Sequence, residues 1–578
     1  DATTPAATMH YFVLFLTALF VCTVFVAVLI KLAVPLQFVD IPDHRKVHAA
    51  AIPRVGGIGM VAGTLLALWL WQEPDPALRG LFAGIAALSI FGILDDRFNL
   101  HYRTKLLGQF IAVLMVVSPG NILIKNLSFF GLHSLPDAVA YPLTVVFLLG
   151  TTNAMNLSDG LDGLAAGLSV LSLACMTYLA WLADGDGIIA VCIAIIGATL
   201  GFLRYNTHPA LAFMGDTGSQ FLGFLVGVLA VSLTQSCNTA LSGVLPLLIL
   251  GLPIVDTVRV MGERIAHKAS PFKADRNHFH HKLLAMGFDH YESVLVIYVI
   301  QAVFITLVFT LRYESDLSIL GIYALVFALL CGFFPLANAL GWRRRALTVG
   351  EQSLLARALA AMMGQSWLAS GAYVALSVAV PAFLLSGAVL NPTTTPDLGL
   401  FAALMLAAWV LSLASRIPAL AATARIAMYS CVTLVMYGIG LNEIAHAEME
   451  GYFRHAVAGL AVLVAVGVVF SPRDFGVTPS DYLVMSILVA SASLPVFQEI
   501  NYARLVAEGA VVLYALEYVL RRRGLGVNVL QGGCLLALAA VALQGYGVIP
   551  TTTVAARPPA QSVSLEPPPL GEAPLSMP

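Results

Sequence analysis

About eleven apolar runs precede position 340, and most approach the length needed to cross a hydrocarbon layer. They fall near 11–34, 55–72, 80–94, 104–118, 139–152, 163–183, 188–203, 219–236, 241–256, 292–311 and 317–340. A helix of roughly 20 apolar residues spans a bilayer core of about 30 Å, and inside that core only helices and closed barrels satisfy their own backbone polar groups. The expected fold class is therefore all-α polytopic integral membrane protein. Composition agrees: 59% of residues are hydrophobic and only 11% charged, against roughly 25% charged in soluble domains. A net charge of −2 argues for no nucleic-acid partner. The run 12–34 is too long for the h-region of a signal peptide and lacks a basic N-terminal flank, so it is read as a retained first span, with Met9 a candidate start. The seven scattered cysteines form no CxxC or Cys/His metal pattern and read as small core hydrophobes.

The links between runs alternate in character. One set is basic and rich in motifs: 40–54, 95–105, 153–162, 204–218, 257–291 and 341–355. The other set is short or plain. Lys and Arg concentrate on the cytoplasmic side of membrane proteins. Eleven spans with the N-terminus outside would therefore put every polar cluster on the cytoplasmic face. Beyond 350 the character changes: about seven further runs, near 369–388, 398–414, 418–440, 453–470, 480–497, 506–520 and 527–548, are joined by links without a comparable cluster. The segment 351–366 could instead be an amphipathic helix lying at the interface. The expected organisation is a first membrane domain over 1–350, a multi-span module over 351–550, and a disordered Pro-rich tail over 551–578.

Five polar clusters carry the chemistry. Asp40, Asp43, His44, Arg45, Lys46 and His48, with Arg54, form either a basic rim for phosphate or a solvated orienting loop. Asp95–Asp96 closes the third run, with Lys105 following; adjacent carboxylates are tolerable beside a divalent cation, and Mg²⁺ prefers one or two carboxylates plus substrate phosphates. In the stretch NAMNLSDGLDG, the residues Asn153, Asn156, Asp159 and Asp162 recur every three positions, which in a helix would stack them on nearly one face; Gly160 and Gly163 could loosen it into a loop. Asn offers both a donor and an acceptor, suited to a nucleobase or ribose. Asp216 stands among glycines just before a run, as a metal ligand or a helix cap, with Asn206 and Phe213 upstream. Finally, His278, His280 and His281 lie in the longest link, as phosphate donors or an unpaired surface run; a zinc site is disfavoured because no Cys accompanies them.

Five stretches, DIPDHRKVHAAAIPRVGG, LDDRFNL, NAMNLSDGLDGLAAG, FMGDTGS and SPFKADRNHFHH, occur in this order within residues 11–340. In them the chain resembles the polyprenyl-phosphate N-acetylhexosamine-1-phosphate transferase family, and most closely the branch using UDP-GlcNAc. The resemblance implies a helical bundle in the bacterial inner membrane, an active site on the cytoplasmic face, and Mg²⁺ (or Mn²⁺) as cofactor. The implied reaction moves N-acetylhexosamine-1-phosphate, best GlcNAc-1-phosphate, from a UDP-N-acetylamino sugar to undecaprenyl phosphate, releasing UMP, as the first membrane step of a cell-surface glycan pathway. A homodimer is compatible with it. Residue by residue it assigns Asp216 to the metal and Asp95 and Asp96 to the catalytic and metal centre. Asn153, Asn156, Asp159 and Asp162 fall on the nucleotide side, with Asn206 and Phe213 near uridine. His278, His280 and His281 are assigned to phosphate or sugar, with Lys46, Arg54 and Lys105 as electrostatic contributors. The rivals are an intramembrane Mg²⁺-dependent prenyltransferase, which would need neither the His cluster nor the Asn/Asp series, and a transporter, whose polar residues would lie at mid-span.

Overall fold

The computed structural model describes residues 5–40, 51–73, 75–120, 122–127, 134–268, 270, 277–340, 366–390, 394–415, 421–443, 447–469, 502–522 and 524–548. Among these the chain is almost wholly helical. In the first half the helices are α1 (Pro5–Leu32), α2 (Gly56–Trp71), α3 (Pro76–Phe98), α4 (Tyr102–Gly120), α5 (Asp137–Ser158), α6 (Leu164–Trp181), α7 (Asp186–Asn206), α8 (Gly215–Ser232), α9 (Leu245–Ile249), α10 (Gly251–Ala266), α11 (Phe279–Ala285), α12 (His290–Leu311) and α13 (Asp316–Ala339). The second half contributes α14 (Ser366–Val389), α15 (Pro396–Ser415), α16 (Ala421–Glu443), α17 (Ala447–Val469), α18 (Tyr502–Arg521) and α19 (Leu525–Gly545). The predicted run at 480–497 and the segment 351–366, apart from its last residue, lie outside the described residues.

Ten of the described helices are long and apolar enough to cross a membrane, and four more apolar helices are shorter. Their outer faces are apolar as well: Trp69, Leu329 and Leu336 are all more than half exposed. A water-facing surface of that kind would be an aggregation patch; facing lipid it costs nothing. The protein is a multi-pass membrane protein.

Local chemistry sets several helix ends. Asp75 accepts the backbone N–H of Leu78 at 2.6 Å and Pro76 opens α3, where a missing N–H does no harm. Asn99, left-handed at φ 50°, closes α3 three residues after Asp96. Asp289 and Glu292 form a reciprocal capping box at the start of α12. Two points depart from the hydropathy reading. The run at 241–256 is two helices, α9 and α10, and the second continues to Ala266 as an amphipathic segment. Pro246 and Pro253 punctuate this stretch, and each removes a backbone donor. The stretch 153–162 is only partly a link, because α5 runs on through Asn153 and Asn156 to Ser158.

Two strand pairs tie the loop before α2 to the rest of the site. Val39–Asp40 (β1) pairs antiparallel with Ile52–Pro53 (β2), and Arg54 bridges in parallel to Phe213. The N–H groups of Gly56 and Gly57 then donate to the carbonyls of Phe213 and Met214, both at 2.9 Å. The start of α2 is thereby fixed against the start of α8.

Two hydrophobic cores result. The larger is built from α1 to α13. The smaller is built from α14 to α19 and takes in Val13 and Leu16 of α1, where Phe12 stacks on Tyr437 at 4.0 Å. Helix α1 serves both cores.

Candidate active site

The ends of α3, α4, α5 and α8 meet in one polar network. The carboxylate of Asp96 accepts the backbone N–H of Asp216 at 2.7 Å, the backbone N–H of Thr217 at 3.0 Å and its hydroxyl at 2.6 Å. Both oxygens therefore hold the N-terminus of α8, where unsatisfied N–H groups favour a negative charge. Gly215 sits here at φ +69°, and a Cβ would lie 2.6 Å from Asp96 Oδ2. This residue can only be glycine if Asp96 is to reach the helix end. The assignment of Asp96 to a metal meets a competing duty.

Asp95 differs from its neighbour. Its Oδ1 accepts the Leu100 N–H at 2.7 Å, while Oδ2 lies 2.5 Å from the Lys105 ammonium. The same ammonium is 2.9 Å from Asp216 Oδ2. Asp216 Oδ1 accepts from the Asn156 amide at 2.6 Å, and that amide also reaches Ser219 Oγ at 2.7 Å. Two carboxylates, from α3 and α8, thus share one ammonium and lie within hydrogen-bond reach of each other. The pair is anionic and made of hard oxygen donors, the set that suits Mg²⁺ or Mn²⁺. The Lys105 ammonium offsets part of their negative charge.

Asn153 supports this centre from outside it. Its amide donates to Gln109 at 2.8 Å and to the Leu149 carbonyl at 2.7 Å, and Gln109 donates on to Gln220 at 3.1 Å. The chain Asn153–Gln109–Gln220 joins α5, α4 and α8.

Beyond Ser158 the helix ends, and Asp159 and Asp162 turn into a loop. The three-residue spacing stacks only Asn153 and Asn156 on a helix face. Burial pushes the Asp159 carboxyl up to about 8, and the negative charges of Asp216, Asp162 and Asp96 add to this against the pull of Arg54. Asp162 Oδ2 lies 2.6 Å from His208 Nδ1 and accepts the Ala210 N–H at 3.1 Å. His208 and His290 stack with ring centroids 3.9 Å apart at 19°, and ligand atoms of Asp162, His208 and His290 lie within 4.8 Å of one another. Nearly parallel rings keep their in-plane lone pairs in separate planes, so this trio does not converge on one ion.

Asn206 is buried, and its side chain accepts from the Gly163 N–H at 2.8 Å while donating to the Ala212 carbonyl at 3.0 Å. It clamps two loop backbones together, and those two bonds engage both ends of its amide. Phe213 supplies the backbone that pairs with Pro53 and Gly56, at 2.8 and 2.9 Å. Arg54 forms an ion pair with Asp40. Lys46 and His48 lie outside the described residues, as do Lys273, Asp275 and Arg276.

The His cluster occupies α11. His278 Nδ1 is 2.9 Å from Asp256 Oδ2, and the His278 and His280 rings are parallel at 5.9 Å. His280 and His281 lie 4.2 Å apart. A side chain at Gly160 would run into the His280 ring, so the loop after α5 and the His helix are in contact. Burial first, then the neighbouring His281 and His278, hold His280 down to about 3 against the opposing pull of Asp256. It is therefore neutral at neutral pH, with an N–H to donate and a nitrogen to accept.

Sequence reasoning did not single out Asp256, Arg259, His208 or His290. Asp256 accepts from Arg259 at 2.7 Å and from the Phe279 N–H at 3.1 Å as well as meeting His278. Arg259 also reaches Glu263 at 2.7 Å and the Asn277 carbonyl. The signal was available as the i, i+3, i+7 spacing of Asp256, Arg259 and Glu263 on one helix face, but the hydropathy window ended a span at 256 and divided it.

Comparison with known proteins gives a consistent answer. Residues 78–234 match the description of glycosyl transferase family 4. A probable undecaprenyl-phosphate N-acetylglucosaminyl 1-phosphate transferase of Bacillus subtilis is 40% identical over 301 residues, covering 50% of this chain and 82% of the relative. An undecaprenyl-phosphate alpha-N-acetylglucosaminyl 1-phosphate transferase of Escherichia coli O157:H7 is 32% identical, covering 46% and 74%. A decaprenyl-phosphate N-acetylglucosaminephosphotransferase of Mycobacterium leprae is 31% identical, covering 46% and 75%. These matches span most of each relative but about half of this chain. By this similarity, the chain belongs to glycosyl transferase family 4, among the polyprenyl-phosphate N-acetylhexosamine-1-phosphate transferases.

Proposed function

We propose that the protein transfers GlcNAc-1-phosphate from UDP-GlcNAc to undecaprenyl phosphate, giving undecaprenyl-diphosphate-GlcNAc and UMP. The relatives' names supply the acceptor and the sugar. The observation that carries the reading is Asp95 and Asp216 held about one ammonium, next to a loop that touches the His helix. Family membership does not favour a prenyltransferase or a transporter.

In the proposed reaction a phosphate oxygen of the lipid forms a bond to the β-phosphorus of the UDP-sugar. The bond from that phosphorus to the bridging oxygen breaks, and UMP leaves with the electron pair. The second pKa of a phosphate monoester is about 6, so much of the nucleophile is dianionic at pH 7 and direct attack needs no general base. The difficulty is charge repulsion. Asp216 and Asp95 would hold a Mg²⁺ or Mn²⁺ ion, which when bound reduces the repulsion between the two phosphates. Lys105 adds a fixed positive charge beside the same carboxylates. Asp96 keeps the N-terminus of α8, and with it Asp216, in place. Neutral His280 is suited to donate a hydrogen bond to a phosphate or sugar oxygen without adding charge, and His281 stands next to it. In this reading Asn156, Asp159 and Asp162 would face the nucleotide, with the Asp162 carboxylate 2.6 Å from His208.

The site is read on the cytoplasmic face of the bacterial inner membrane with the N-terminus outside, because Lys and Arg crowd the links at that end. The transferase domain is read as residues 1–350, with 351–550 a separate multi-span module. The test is direct. Purified full-length protein should release UMP from UDP-GlcNAc only when undecaprenyl phosphate and Mg²⁺ or Mn²⁺ are both present. Failure to release UMP with any member of a UDP-sugar panel would defeat the proposal.

A further inference from the structure

The second half of the chain has a cavity of its own. About 340 Å³ in volume, it lies between α16, α18 and α19 and is lined in part by Arg425, Met428, Leu520, Val527 and Gln531. One wall is apolar, from Met428, Leu520 and Val527. Arg425 and Gln531 bring polar side chains to it.

Among the described residues, several arginines stand close to the cavity. Glu517 pairs with Arg521 at 2.8 Å and accepts the Tyr429 hydroxyl. Arg204, at the end of α7, lies within electrostatic reach of both Tyr429 and Glu517, and Arg425 within reach of Tyr429. Arg522 donates to the Ala369 carbonyl at 2.7 Å and faces the rings of Tyr373 and Tyr518 at 5.9 Å. Four arginines thus gather with Glu517 as the single carboxylate among these groups. Among the described residues Arg425 has no hydrogen-bonding or ion-pair partner.

A guanidinium beside hydrocarbon is costly unless its charge is met. Its planar fork fits phosphate oxygens in a bidentate way, and a neighbouring apolar wall fits methylene chains. We propose that this cavity binds the phosphate headgroup of an anionic membrane lipid. Arg425 contacts the phosphate, Gln531 donates a further hydrogen bond, and Met428, Leu520 and Val527 take the start of the lipid chain. The occupant is a lipid rather than a free phosphate because the apolar wall has no role for an inorganic ion. This proposal does not depend on the transferase reaction.

The full-length protein in detergent, titrated with phosphatidylglycerol, phosphatidylcholine or inorganic phosphate and read by native mass spectrometry, tests it. Wild type should retain phosphatidylglycerol at least fivefold better than phosphatidylcholine. Arg425→Ala should bring the two to parity, and Arg425→Lys should keep an intermediate preference. Equal retention of both lipids by wild type, an undiminished preference in Arg425→Ala, or complete displacement of phosphatidylglycerol by millimolar inorganic phosphate would overturn the proposal. Should Arg425→Ala fail to fold, Arg425→Gln, which keeps the side-chain stem, carries the same expectation.

Discussion

The two halves of the chain handle charge in opposite ways. In the first half, charged side chains converge from separate helices: the Lys105 ammonium of α4 lies 2.5 Å from Asp95 of α3 and 2.9 Å from Asp216 of α8. In the second half, arginines gather around Glu517 at neighbouring helix ends, Arg521 pairing with it and Arg425 within electrostatic reach of its partner Tyr429. A site that must bring two phosphates together needs carboxylates to hold a cation and cations to offset the rest. A site that meets a single lipid phosphate needs cations alone. If both proposals hold, the contrast is between a reacting centre and a holding one.

The largest effect should come from Asp216→Ala, which removes a carboxylate shared by Lys105 and Asn156. UMP release should fall about a thousandfold in a protein that still elutes as a single species, whereas Glu517→Ala should stay within about twofold. A near-wild-type rate for the first or a collapse for the second breaks the comparison. Lys105→Met should lower turnover by roughly a hundredfold, because it removes the positive charge shared by Asp95 and Asp216; a loss confined to KM would instead make Lys105 a substrate anchor.

Asp256→Asn keeps the shape but removes the negative charge facing His278 and Arg259. We expect a tenfold to hundredfold fall in kcat, of the order seen when a reacting group is misplaced, and a stability loss of about 1–3 kcal/mol, read by thermal unfolding in detergent. An unchanged kcat would show that the His helix is positioned without it.

The smallest effect concerns pH. His280 is held down to about 3 in the fold against about 6.5 when unfolded, so the unfolded chain takes up a proton first. Its contribution to stability is therefore complete above pH 6.5 and is lost as pH falls towards 3, at about 1.4 kcal/mol per unit. His280→Gln should flatten the acid limb of a Tm-against-pH curve between 6.5 and 5. An unaltered limb would assign that loss to other groups.

Much of the fold and part of the site can be read directly from residue order. Ten described helices long and apolar enough to span follow from apolar runs, since hydrocarbon admits little else. The carboxylates, amides and histidines announce themselves by standing in a chain so poor in charge. Spacing misleads at the margins. Asn153 and Asn156 belong to α5, and the run ending at 256 hid the Asp256–Arg259–Glu263 face of α10.

What sequence alone determined, then, is that this chain spans a membrane with its polar residues at span ends, because each such residue is costly within hydrocarbon and local pattern suffices to reveal that cost. Which carboxylate does what was decided only by tertiary structure. Asp95 and Asp96 are adjacent in sequence, yet one reaches Lys105 and Asp216 while the other holds the end of α8. Helix geometry points neighbouring side chains about 100° apart, and only the packing of α4 and α8 against α3 determines what each one meets.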